Sequence, residues 1–147
     1  MFKTIVHGIS AVMALISITT FLCCTLFSEL MQNYTLIAEV KLRIATTGIP
    51  VLVFSMIAVG LTGNFISKRG GKVISLKKRR MRVLALTGLF VMIPAALYLN
   101  HKAEIGEFDS YFYGVQVVEA LLGLVQLRLV VMNFIAGIRL IKRKSTI

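Results

Sequence analysis

Five polar side chains interrupt an otherwise apolar run over residues 111–140: Gln116, Glu119, Gln126, Arg128 and Asn133. Hydrocarbon offers amides, carboxylates and guanidinium groups no hydrogen bonds, so each needs a protein partner, water or a route to the interface. Two roles fit residues of these types. An intramembrane acid flanked by amides can relay protons or cations along a polar path. The same groups can instead hold helices together, Glu119 bonding to Thr and Ser residues of the first hydrophobic segment.

Spacing separates these residues into two sets. On a helix, Gln116, Glu119, Gly123, Gln126, Val130, Asn133 and Gly137 follow alternating steps of three and four and share one face. That face is too polar for lipid and is expected to meet other helices or a cavity. Arg128 stands apart: the nine residues from Glu119 turn about 900°, which places it on the opposite face. There it can snorkel inward or bond backbone carbonyls of a neighbour. With the segment centred near Leu124, Glu119 lies ~7 Å to the outer side and Arg128 ~6 Å to the inner side. An acid or arginine near the centre costs about 2.5–3.5 kcal/mol, so a packed partner or water is expected.

The elements that must carry this face are legible in the composition. Of 147 residues, 57% are hydrophobic and 16% charged, and the mean hydropathy is +0.85. Soluble domains run to about 45–50% apolar and 25% charged residues. The apolar residues fall into four blocks, 4–27, 44–66, 83–99 and 111–140, near the ~20 residues that span a hydrocarbon core. The expected fold is all-α, a polytopic membrane protein with four transmembrane helices in one bundle, residues 1–147 forming a single domain. Small and hydroxyl residues from Gly8 to Thr25 suit close packing of the first helix, which is expected to be retained rather than cleaved. Adjacent Cys23 and Cys24 read as buried cysteines acting as small apolar side chains. Residues 30–43 read as an outer loop holding a short interfacial helix. Pro50, beside Gly48, and Pro94 predict kinks in the outer halves of the two middle helices, pointing to a widened outer mouth.

The net charge of +11 would suit nucleic acid were it not so unevenly distributed. Thirteen basic residues and no acidic one fall on the side that holds both termini and the 67–82 loop. The other side sets Lys41, Arg43 and Lys102 against Glu29, Glu39, Glu104, Glu107 and Asp109. Positive loops stay inside, so the N- and C-termini are expected to be cytoplasmic. Lys68, Arg69, Lys72, Lys77, Lys78, Arg79 and Arg80 are expected to contact the headgroups of anionic lipids, and no nucleic acid is implied.

Catalytic patterns are missing from the sequence. There is no G-x-S-x-G elbow and no H-E-x-x-H pair. The two histidines, His7 and His101, fall near opposite interfaces, roughly 30 Å apart, and cannot share a haem within one subunit. His101, Glu104, Glu107 and Asp109 lack a metal-ligand spacing and read as a solvated acidic loop. No enzyme activity, metal or cofactor is expected.

Gly106-Glu107-Phe108-Asp109, Phe112-Tyr113, Gln116, Glu119, the stretch Asn133 to Gly137-Ile138-Arg139-Leu140 and the basic Arg79-Arg80-Met81 resemble small bacterial four-helix inner-membrane proteins of uncharacterised function. The resemblance covers about half the chain. It implies a bacterial inner (cytoplasmic) membrane and carries no catalytic residues with it. Immunity proteins against pore-forming bacteriocins are similar in size and topology alone. The expected function is non-enzymatic, through helix–helix contacts, as an accessory subunit or protective partner in a homo-oligomer or larger membrane complex. The alternative is a small oligomeric transporter or channel subunit using Glu119 and the polar face of the fourth helix. A haem or redox membrane protein ranks third.

Overall fold

The computed structural model describes residues 2–66 and 72–144, with side chains throughout except at residues 3, 64–66, 72, 73 and 140–144. Lys68 and Arg69 of the expected headgroup contacts lie outside the described residues, as does the side chain of Lys72.

The described chain is all-helical. Helix α1, Phe2–Leu30, ends in a two-residue turn with Gln32 at φ 49°. The Asn33 Oδ1 then accepts the Leu36 N–H at 3.2 Å and caps α2, Tyr34–Arg43. A capping amide satisfies one of the free N–H groups of a first helical turn. Helix α2 continues without a break through one wide π-helical turn, Ile44–Gly48, into α3, Ile49–Ile66. Helix α4, Lys72–Thr87, passes through a second such turn, Gly88–Met92, into α5, Ile93–Glu104. Helix α6 spans Ser110–Lys144.

Both π turns stand immediately before a proline, and the chemistry of proline accounts for them. Its ring presses on the carbonyl four residues back and it has no N–H to offer. One extra residue in the turn relieves that pressure. Ile49 N–H reaches back to Ile44 O before Pro50, and Ile93 N–H reaches Gly88 O before Pro94. The expected kinks thus take the form of widened turns inside continuous helices.

Four helices are long and apolar enough to cross a membrane: Thr4–Leu30, Tyr34–Gly63, Ile74–Glu104 and Ser110–Arg139. The middle two are longer than the blocks at 44–66 and 83–99. The short helix expected within 30–43 is present at Tyr34–Arg43, but it runs on into the second apolar block instead of standing apart, and the basic stretch from Lys72 onward is the start of α4. Charged residues cut a hydropathy block short, but a helix satisfies its own backbone regardless of which side chains it carries.

Contacts fix the order of the helices. Helix α1 packs along α3 and also on α6, while α4 and α5 also pack on α6, and α2 packs on α5. Ile37, Leu99, Ala103 and Phe112 form one core cluster, at the acidic end of the molecule. Tyr34, Phe108, Phe112 and Tyr113 extend it, with successive ring centroids 4.6 to 5.4 Å apart. Ile18, Leu84 and Val130 make a second cluster nearer the basic end. At that end the His7 Nδ1 and Thr62 Oγ1 are 3.0 Å apart, joining α1 to α3. At the acidic end, where a widened mouth is expected, α2 and α5 pack together, and a cavity lies instead between α3 and α4.

Candidate functional site

The polar face of α6 is the centre of the site, and its acid has an unexpected partner. Ile37, Lys41 and Ile44 lie on one face of the second long helix, all buried. Ile37 packs in the cluster with Phe112, which turns Lys41 toward α6, two helical turns below Phe112. There the Lys41 ammonium meets Glu119 Oε2 at 2.7 Å, with the two side chains 1% and 12% exposed. Opposite charges at this distance offset part of the desolvation that either alone would suffer.

This overturns two expectations. Lys41 does not sit in an outer loop separate from the second hydrophobic helix, because α2 is a full continuation of that helix. Nor does Glu119 bond to the hydroxyls of α1; its hydrogen bond comes from Lys41. The hydroxyls of α1 bond locally instead: Thr19 Oγ1 donates to Leu15 O at 2.8 Å and Ser28 Oγ to Thr25 O at 2.9 Å. A hydroxyl close to a preceding carbonyl of its own helix finds that acceptor without any tertiary contact.

Gln116, Gln126 and Asn133 are buried. Gln126 Nε2 donates to Thr87 Oγ1 at 3.1 Å, and that hydroxyl donates in turn to Val83 O at 2.8 Å. Helix α6 is thereby tied to α4. Gln116 Oε1 and both amide atoms of Asn133 are buried without a hydrogen-bond partner among the described residues. The four polar-face residues therefore share the inner side of α6 yet do not join into one hydrogen-bonded chain. Glu119 is tied to α2 and Gln126 to α4. Arg128 is exposed, away from that side.

Next to this face lies a cavity of about 1350 Å³. Its walls come from α1, α3, α4, α5, α6 and the two π turns and are mostly apolar, Leu52, Met56 and Met92 among them. Gly123 widens it, being buried with its nearest neighbour the Leu22 side chain at 3.5 Å from where a Cβ would stand. Gln126 borders the cavity midway and Glu119 bounds its acidic end, while His7, Lys77, Lys78 and Arg82 border its basic end.

Two other polar groups lie outside this region. Lys102 bonds to Glu107 and, at 3.0 Å, to Asp109. Asp109 Oδ1 also accepts the Phe112 N–H at 2.8 Å, which caps α6. Glu107 and Asp109 are thus engaged by a lysine and a helix start. Among the described residues no group of three His, Cys, Asp or Glu is placed to hold a metal ion. His7 and His101 fall at opposite ends, and Cys23 and Cys24 are exposed free thiols on the outward face of α1 rather than buried as expected.

No family model, curated protein or solved structure matches this chain.

Lys41 is the member of this polar arrangement that hydropathy reading misses. Its signal is present in the spacing: Ile37, Lys41, Ile44 and Gly48 continue the three-and-four rhythm of a buried helical face. A charge within an otherwise periodic face is a reason to look for its opposite on another helix, and Glu119 is the acid available at a matching depth.

Proposed function

We propose that this chain is a multi-pass protein of a bacterial inner (cytoplasmic) membrane, crossing it four times with both termini in the cytoplasm. It acts without catalysing a reaction, through helix–helix contacts, as an accessory subunit or protective partner. Membrane placement is supported by the apolar side chains on the outward faces of the helices, such as Phe54 at 74% and Phe90 at 68% exposed. Water-soluble monomers seldom present apolar surface on this scale. Orientation is supported by the positive charge gathered at one end.

The observation that carries the non-enzymatic reading is the Lys41–Glu119 pair. The one acid within the apolar run of α6 is committed to holding that helix against α2. Reporter fusions at Gly70 and Glu107 test the orientation, with Gly70 expected inside and Glu107 outside. Purification from a mild detergent tests the role, with a second membrane protein expected to accompany the chain. A lone monomer from such a preparation refutes it.

One observation favours a second reading, an oligomeric transporter or channel subunit: the cavity reaches Glu119. Under that reading Glu119→Gln abolishes ion or proton flux in proteoliposomes. Flux equal to the wild type at several pH values refutes it.

A further inference from the structure

The cavity between α3 and α4 has the profile of an amphiphile. It is apolar along its length, and its cations are gathered at one end, where Lys77, Lys78 and Arg82 border it. Lys77 reaches across from α4 to α6, its Nζ lying 3.4 Å from where a Cβ of Gly137 would stand. A side chain at position 137 would crowd that ammonium, and glycine leaves the room.

No acidic side chain neutralises these cations. All six acidic residues fall at Glu29, Glu39, Glu104, Glu107, Asp109 and Glu119, none in the segments that form the basic end. Glu119 borders the far end of the cavity and is already paired with Lys41. From Gly137 to Glu119, α6 advances about 27 Å, so an apolar chain has most of the hydrocarbon thickness in which to extend. At about 1350 Å³ the space also exceeds the roughly 300–1,000 Å³ typical of small-molecule sites.

We infer that this cavity is a binding site for one anionic phospholipid of the surrounding bilayer. Its phosphate is held by Lys77, Lys78 and Arg82, and its acyl chains lie along the apolar walls toward Gly123. Basic pockets between membrane helices on the cytoplasmic side recognise acidic headgroups in this way. The site differs from the general attraction of a basic surface for anionic lipid, because the cleft offers apolar walls to the chains as well as cations to the headgroup. It rests on the membrane placement proposed above.

The test reconstitutes the full chain into vesicles of mixed phosphatidylethanolamine and phosphatidylglycerol, extracts it in mild detergent and counts retained lipid by native mass spectrometry. Flotation with the vesicles is scored first, since a chain that fails to float refutes the membrane placement itself. The wild type is expected to retain one phosphatidylglycerol per chain. Two variants should each lower that retention at least about tenfold. Lys77→Gln/Lys78→Gln/Arg82→Gln removes the headgroup cations. Gly60→Phe leaves every charge in place and fills the cavity, which Gly60 lines with open space where a Cβ would stand. Arg128→Gln/Arg139→Gln removes two exposed cations that do not border the cavity and should retain lipid like the wild type.

Four results would overturn the site. The two lipids could be retained in their vesicle ratio. Arg128→Gln/Arg139→Gln could lose as much as the triple variant. Gly60→Phe could bind as the wild type does. A second copy of the chain could occupy the cleft in place of lipid, seen as a dimer without phosphatidylglycerol.

Discussion

Lys41 and Glu119 are 78 residues apart in the chain and 2.7 Å apart in space, joining α2 to α6 where both are buried. The pair is more than a fastening. It sets the depth at which the second long helix meets the fourth, because slipping either helix by a turn would strand a charge in an apolar surrounding.

Removing one partner should therefore be far worse than removing both. Glu119→Gln leaves the Lys41 ammonium buried without its counter-charge and is expected to lower stability by about 3–5 kcal/mol. Lys41→Met should do the same. The double variant Lys41→Met/Glu119→Leu replaces the pair by apolar side chains and should recover most of the loss. Unfolding in mixed detergent micelles, followed by helical circular dichroism, measures all three. A double variant as unstable as the sum of the singles would show that the two residues do not act as a pair.

The Gln126–Thr87 bond is a smaller link between α6 and α4. Thr87→Val keeps the shape of the side chain and removes the acceptor, with an expected loss of about 0.6–1.7 kcal/mol. The same micelle unfolding reads it. Thr46→Val serves as the comparison: its hydroxyl is exposed and bonded only to its own helix, at Leu42 O, so its loss should change little.

Gly48 sits where a Cβ would come within 2.5 Å of the Phe21 ring. Gly48→Ala should overpack the contact between α1 and the second long helix and lower stability by about 1–3 kcal/mol. Shortening the ring in the same chain, Phe21→Leu/Gly48→Ala, should relieve much of that loss. An alanine variant as stable as the wild type would mean that the ring swings aside at no expense.

Asp109 gives the protein a pH-sensitive helix start outside the four long helices. The Phe112 N–H, and then the Lys102 ammonium, hold its carboxyl below the usual range. A carboxyl lowered on folding stabilises the fold when ionised. That contribution is complete above the unfolded value of about 3.9 and fades as pH falls through the lower folded value. Asp109→Asn keeps an acceptor for the cap but loses the charge, so it should flatten this acid dependence. Hydrogen exchange at the Phe112 amide between neutral and acid pH is the measurement, with wild-type protection expected to fall on acidification and the variant's protection to stay level.

Much of the architecture is written in local sequence. Long apolar blocks dictate helices because a backbone without water must bond to itself. The step of three and four from Gln116 to Gly137 marks the inner side of α6 without reference to any neighbour, and Pro50 and Pro94 locate two disturbed turns. The partners are another matter. That Glu119 would find Lys41 rather than a hydroxyl of α1 depends on α2 running on through a π turn at the depth of Glu119. Hydropathy hides this, because the charges at Glu39, Lys41 and Arg43 end the apolar block while leaving the helix intact. The cavity is equally invisible in one dimension: it is a space between α3 and α4, helices that each pack well elsewhere. Periodicity reports which face of a helix is buried, since that depends on its own residues. What lies against that face depends on how several helices settle together, and only the tertiary structure decides it.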